Sequence, residues 1–412
     1  MLSLSNVQER KKVLVMSMLH KIRIFAVSAV ICVGSLHYAM AATPPVQPFE
    51  GPGSSGDQNL AVTKRVLGEE GSVIYAFFTK TKTTTPKPVV IFLHPWGGIQ
   101  PQAYGHWFDQ LARKGYLVIF PQYQIPNVTE STQATQRAKS LIGRAFTELK
   151  NETYAQADPE RISYIGHLAG AVIAVNLATE PDKGYNPKLV LALMPGGIAR
   201  DEQSAGIPLA DLSKINPLTS LVAMSADRAS NATDRAARRI LTEASQIPPD
   251  RKLFIKTMSD GHGYPRLFAS LASPGSFNDM YSQDALGKAP PRIQTDEEAG
   301  AVPVQRTRNN RGNRNRKGQR TGPRPSPRLT AISGEQQLIA RQVENNGVDA
   351  LDYLGYWKTF ELLANMAFSG GEITLLSNDP AFVGMGVWSD GFPAKRLWVE
   401  VPTPKVTADQ TP

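Results

Sequence analysis

Short, nearly uninterrupted apolar runs recur along the chain, each closed by glycine, proline or a polar turn. Ser72 to Thr79, Val89 to His94, Tyr116 to Phe120, Ile162 to Ile165, Leu189 to Met194, Leu218 to Ser225 and Leu253 to Met258 read as strands. Strands that are apolar on both faces must be covered on both, as in a parallel sheet between helices. Helical spacing fills the intervals: Gln102 to Lys114, with Trp107, Phe108 and Leu111 on one face, then Ser131 to Leu149 and Ala169 to Ala178. This βαβ series predicts an α/β fold with one doubly wound, mostly parallel sheet. The pattern breaks near Pro274 and resumes near Gly334, with an amphipathic helix over Val348 to Phe368 and an aromatic tail from Gly384 to Val401.

Composition changes this picture at the two ends and in the gap. Of 412 residues, 41% are hydrophobic, enough to bury a large core. Lys21 and Arg23 precede the apolar run Ile24 to Leu36 and the small-x-small site Ala39-Met40-Ala41, the pattern of a cleaved signal peptide. The run is shorter than the roughly 20 residues that span a bilayer, so a secreted or periplasmic mature protein is expected. Cys32 is the only cysteine, which excludes an internal disulfide. The net charge is +9, and the tract Arg306 to Arg328 alone holds nine Arg or Lys and no acid. Such a tract is too polar to pay for its own ordering and reads as a disordered insertion. A solvated loop is the first reading of such a run, and its charge would alternatively support salt-sensitive attraction to an anionic polymer or membrane surface; without interleaved aromatics it implies no specific nucleic-acid site. The expected organisation is a signal peptide over 1–41, a flexible leader over 42–57, the core over 58–275, the insertion over 276–334, a C-terminal helix and tail completing the core over 335–401, and a flexible end over 402–412.

Four motifs then follow one another at strand ends: LHPWGG (Leu93 to Gly98), GHLAG (Gly166 to Gly170), Asp227 after a later strand, and His262 in SDGHG after the last. In kind and order they resemble the α/β-hydrolase superfamily, on the side of secreted lipase-, esterase- and dienelactone-hydrolase-like enzymes, over about residues 60–275 and 335–400. The resemblance implies that residue 168 is the nucleophile position of Gly-x-Ser-x-Gly, where this chain carries Leu168. It implies oxyanion donors at the amides of Ala169 and of Trp96 or Gly97, an acid at Asp227 and a histidine at His262, with Asp260 as a poorer substitute acid. His94, Tyr104 and His167 are expected around the pocket, His94 as the orienter of the oxyanion loop, with the aromatics Trp96, Tyr104 and Trp107 as candidates for an acyl-pocket lining, although packing against the sheet explains Trp107 equally well. His106 and His167 have no ligand partner at metal spacing, so neither a metal nor any other cofactor is expected.

Leucine offers no hydroxyl to attack an acyl carbon. Loss of a triad member leaves only about 10³ to 10⁴ of acceleration over water. The expectation is therefore an inactive or weak homologue that keeps a cleft for a small acyl or hydrophobic ligand. Two alternatives stay open: an ester hydrolase in which Asp227 and His262 activate water directly, and a protein acting through its Arg-rich tract. A one-base change from a serine codon would also produce Leu168. A leucine in a strained turn pays about 1–3 kcal/mol, so either the turn relaxes or packing offsets the strain, with Leu168 pointing into the cleft against the aromatics.

Overall fold

The structure is a computed structural model that describes Met16 and residues 41–56, 58–81, 85–126, 128–180, 186–201, 203–289 and 334–403. The rest of the expected signal peptide, the tract Arg306 to Arg328 and the last nine residues lie outside the described residues.

Nine strands form one sheet in the order β1-β2-β4-β3-β5-β6-β7-β8-β9. They are β1 (Val62–Glu69), β2 (Ser72–Thr79), β3 (Lys87–Leu93), β4 (Leu117–Pro121), β5 (Ala157–His167), β6 (Leu189–Leu193), β7 (Ser220–Ala226), β8 (Lys252–Thr257) and β9 (Trp398–Glu400). The six strands from β4 to β8 run parallel, while β1, β2 and β9 are antiparallel additions at the two margins. Every residue of β4, β6 and β7 is buried, which is why these strands read as continuous apolar runs.

Helices cover both faces. The helices α2 (Ala134–Leu149), α3 (Ala169–Ala178) and α4 (Asn231–Glu243) share one apolar core with the sheet. On the other side α1 (Gly105–Arg113) meets the C-terminal helix through Trp107, whose ring lies 6.2 Å from Trp357 and 6.4 Å from Phe360. None of the helices among the described residues is long and apolar enough to cross a membrane.

Several elements depart from the sequence expectation. β1 was hidden because an edge strand needs only one apolar face, and VTKRVLGE carries Lys64, Arg65 and Glu69 on a half-exposed ribbon. The helix α4 was passed over although Ser230 caps it and Thr233, Ala237, Ile240 and Leu241 form its buried stripe. The expected single helix over 348–368 is a π-helical turn, Leu351–Trp357, that runs into α6 (Lys358–Phe368) after α5 (Gly334–Val343). A capping box starts it: Asp349 Oδ1 accepts from the Leu351 amide at 2.7 Å and Asp352 Oδ2 from the Asp349 amide at 2.9 Å.

Two of the expected boundaries need correction. The leader is tied down rather than flexible. The Thr43 amide donates to Ser389 Oγ at 2.9 Å, Tyr353 Oη donates to the Pro45 carbonyl at 2.5 Å, and Ser54 is buried. The segment 276–289 belongs to the core, because Ser276 receives the amides of His106 (3.2 Å) and Trp107 (3.1 Å), and Tyr281 Oη donates to Asp109 at 2.5 Å.

Candidate functional site

β5 ends in a turn so tight that two glycines are obligatory. A Cβ on Gly166 would stand 2.2 Å from the Gly170 carbonyl oxygen, and one on Gly170 would stand 2.1 Å from that of Leu93. Between them Leu168 adopts φ 54° and ψ −115°, a left-handed conformation that β-carbon sterics disfavour. The turn has therefore kept its strain. Its amide donates to the Leu193 carbonyl at 3.0 Å, and its own carbonyl accepts from Gly196 at 3.4 Å and Ala171 at 3.1 Å. With 2% of its surface exposed, the leucine side chain recovers roughly 2 kcal/mol by burial, comparable to the strain.

Leu168 lines a cavity of about 500 Å³. Its other walls come from the loop after β6 (Gly196, Gly197, Ile198, Arg200), the first turns of α4 with its cap Ser230, Leu271 on the loop after β8, and Ile339 of α5. The expected aromatics are elsewhere. Trp96, Tyr104 and Trp107 are fully packed within the core, and Trp107 Nε1 donates to the Pro274 carbonyl at 3.0 Å.

The Asp227–His262 dyad is not assembled. Asp227 Oδ1 accepts from Ser259 Oγ at 2.6 Å, and that hydroxyl in turn accepts the Ala269 amide at 3.0 Å, so the acid fixes the loop after β8. His262 turns to the C-terminal tail, where its Nε2 meets Asp390 Oδ2 at 2.7 Å and its ring stacks on Phe392 at 4.2 Å. Of that loop it is Leu271, and not His262, that reaches the cavity beside Leu168. Asp260, the substitute acid, is a brace: Oδ1 accepts the His262 amide at 3.0 Å, and Oδ2 accepts Trp388 Nε1 at 3.1 Å and the Lys395 amide at 2.9 Å.

The oxyanion loop is also committed. The Gly97 amide donates to Gln124 Oε1 at 2.6 Å, and a Cβ on Gly97 would stand 3.5 Å from Ala340 Cβ, so α5 seats on the loop. Ala169 opens α3, and its amide belongs to the first turn that has no partner within the helix. Trp96 is buried with Nε1 unpartnered among the described residues.

The two histidines nearest the elbow are structural. His167 Nε2 lies 2.8 Å from the Leu271 carbonyl, which can only accept, so Nε2 carries the proton and Nδ1 accepts from Tyr104 Oη at 2.6 Å. His94 Nδ1 donates to the Pro95 carbonyl at 2.8 Å, with its ring stacked 4.0 Å from Tyr123. Burial pushes both imidazoles down to about 4, so both are neutral at physiological pH, and it drives the Tyr104 phenol well up. Among the described residues, no group of three or more His, Cys, Asp or Glu side chains converges as a metal site.

A parallel-centred sheet in this order, with a strained strand-turn-helix elbow after β5, defines the α/β-hydrolase fold. Residues 74–186, from β2 to just past α3, match the dienelactone hydrolase family model, and fold and match together place the chain in the α/β-hydrolase superfamily. Solved structures of low similarity include MGS-M1, an α/β-hydrolase enzyme from a Medee basin deep-sea metagenome library (18% identity, 50% of this chain and 84% of that one, TM-score 0.39). Another is an esterase from the hyperthermophilic archaeon Pyrobaculum calidifontis (13% identity, 49% and 76%, TM-score 0.38). A third is from work on two esterases of the fungus Rhizomucor miehei (12% identity, 48% and 74%, TM-score 0.37). No curated protein matches this sequence.

The cavity-lining residues that the sequence reading did not single out include Arg200, Arg235, Arg239, Ile198, Leu271 and Ile339. The arginines of α4 had a signal, the capped amphipathic stretch after β7. Arg200 and Leu271 sit on irregular loops where no periodicity marks them.

Proposed function

We propose that the chain is an exported α/β-hydrolase homologue that binds a small ligand beside the elbow and does not hydrolyse it. One observation carries this reading: among the described residues, none that lines the cavity is His, Asp, Glu or Cys, and the nucleophile position is Leu168. Nucleophilic acyl transfer needs a hydroxyl or thiol next to a base. Direct activation of water needs the base within about 3 Å of the water, and the Asp227–His262 pair invoked for that alternative is separated into two other contacts. Export rests on the sequence of the first forty-one residues.

Purified mature protein is expected to turn over p-nitrophenyl esters of short and medium chain length no faster than the heat-denatured protein does, and to take no fluorophosphonate label. Turnover well above that background, or stoichiometric labelling, would contradict the proposal.

A further inference from the structure

The cavity beside Leu168 joins two chemistries. Leu168, Ile198, Leu271 and Ile339 give the cavity apolar lining, and Arg200 and Arg235 line it as well. A third arginine, Arg239, is neutralised by Glu243 at 2.6 Å. Arg200 and Arg235 have no acidic partner within ion-pair distance among the described residues, and both are exposed. Among the described residues, the neighbouring acids Asp234 and Asp201 are engaged: Asp234 takes Ser225 Oγ and Lys256 Nζ at 2.5 Å each, and Asp201 Oδ1 accepts the Gln203 amide at 3.0 Å. Two guanidinium groups without an acidic partner among the described residues, sharing a cavity with apolar side chains, match a ligand that carries an oxyanion at one end and hydrocarbon at the other.

We propose that the cavity takes an amphiphilic anion, a carboxylate or phosphate headgroup between Arg200 and Arg235 with an acyl chain along Leu168, Ile198, Leu271 and Ile339. This rests on reading the cavity as a binding site and adds the sign of the ligand's charge. An uncharged ester can accept a hydrogen bond from a guanidinium but brings no charge to pair with the two of them. The site therefore prefers the free acid to its ester, the reverse of a site built for ester hydrolysis.

Calorimetric titration of the mature protein with decanoate, decyl phosphate, methyl decanoate and acetate tests this. At least one of the two anionic amphiphiles is expected to bind about ten-fold or more tightly than methyl decanoate and acetate. Whichever anion binds more tightly identifies the headgroup. The exposed double substitution Arg200→Gln, Arg235→Gln is expected to reduce its affinity to that of the methyl ester with the melting temperature unchanged. Equal affinity for anion and ester, acetate binding as well as decanoate, no binding by any probe, or a double variant that binds like the wild type would overturn the inference while leaving catalytic inactivity intact. Hydrolysis of methyl decanoate during the titration would instead overturn the reading of the cavity on which the inference rests.

Discussion

Gly170→Ala is expected to destabilise the protein by about 4 kcal/mol or more, or to prevent accumulation of folded protein. A Cβ there would lie 2.1 Å from the Leu93 carbonyl oxygen and 2.6 Å from that of His94, both main-chain atoms that cannot swing aside. Relief would require α3 to move off β3, and α3 is buried along its whole length. Overpacking of a flexible side chain costs about 1–3 kcal/mol, so a rigid backbone collision must exceed that. Denaturant unfolding of the variant beside Gly143→Ala, where the added Cβ meets nothing within 4 Å, checks the size of the effect. The glycines of the elbow are thus required by the fold, and their presence carries no implication about chemistry.

Asp260→Asn is expected to lower stability by about 3 kcal/mol near neutral pH, because one amide group cannot replace two acceptor oxygens that take three N–H donors. Burial alone would raise this carboxyl. The Lys395 amide, Trp388 Nε1 and the His262 amide, with the Lys395 charge, outweigh it and hold the carboxyl below its ordinary 3.8. A depressed folded-state value means the carboxylate contributes stability that is fully present above the unfolded value and is lost as pH falls through the folded one. The gap between wild type and Asp260→Asn should accordingly be constant from neutral pH to about 5 and close below about 4. Stability curves of the two proteins over pH 3 to 7 would show it; a gap that widens on acidification would remove Asp260 from the role of brace. The same substitution should release the tail around Trp388, making it the first site of limited proteolysis.

The fold was legible because burial on both faces forces apolar runs, and those runs mark β2 through β8. The elbow was legible for a similar reason: Gly166 and Gly170 are dictated by main-chain contacts that any occupant of residue 168 leaves unchanged. What the chain order could not convey was aim. Asp227 and His262 do lie on the loops after β7 and β8, but an acid on a loop bonds whatever donor is nearest. Ser259, two residues beyond β8, reaches Asp227 first. His262 is captured by Asp390, 128 residues further on, a pairing with no local signature. The cavity's positive side was illegible for a different reason. Arginine on an amphipathic helix ordinarily reads as a solvated face, and that Arg235 of α4 and Arg200 of the loop after β6 line one cavity is visible only in the fold.

The strained elbow also answers whether Leu168 relaxed the turn. It did not: hydrogen bonds to Leu193 and Gly196 hold the main chain, and the leucine lines a cavity with Ile198, Leu271 and Ile339, whereas Phe92, Tyr104 and Phe108 form a separate aromatic cluster. Restoring a hydroxyl alone therefore supplies a nucleophile without a base. The central claim is tested most directly by steady-state turnover of p-nitrophenyl butyrate by Leu168→Ser. The account predicts a rate indistinguishable from that of the unmodified protein. A burst of p-nitrophenol followed by turnover, abolished by adding His262→Ala, would contradict it by showing that the imidazole reaches the elbow after all.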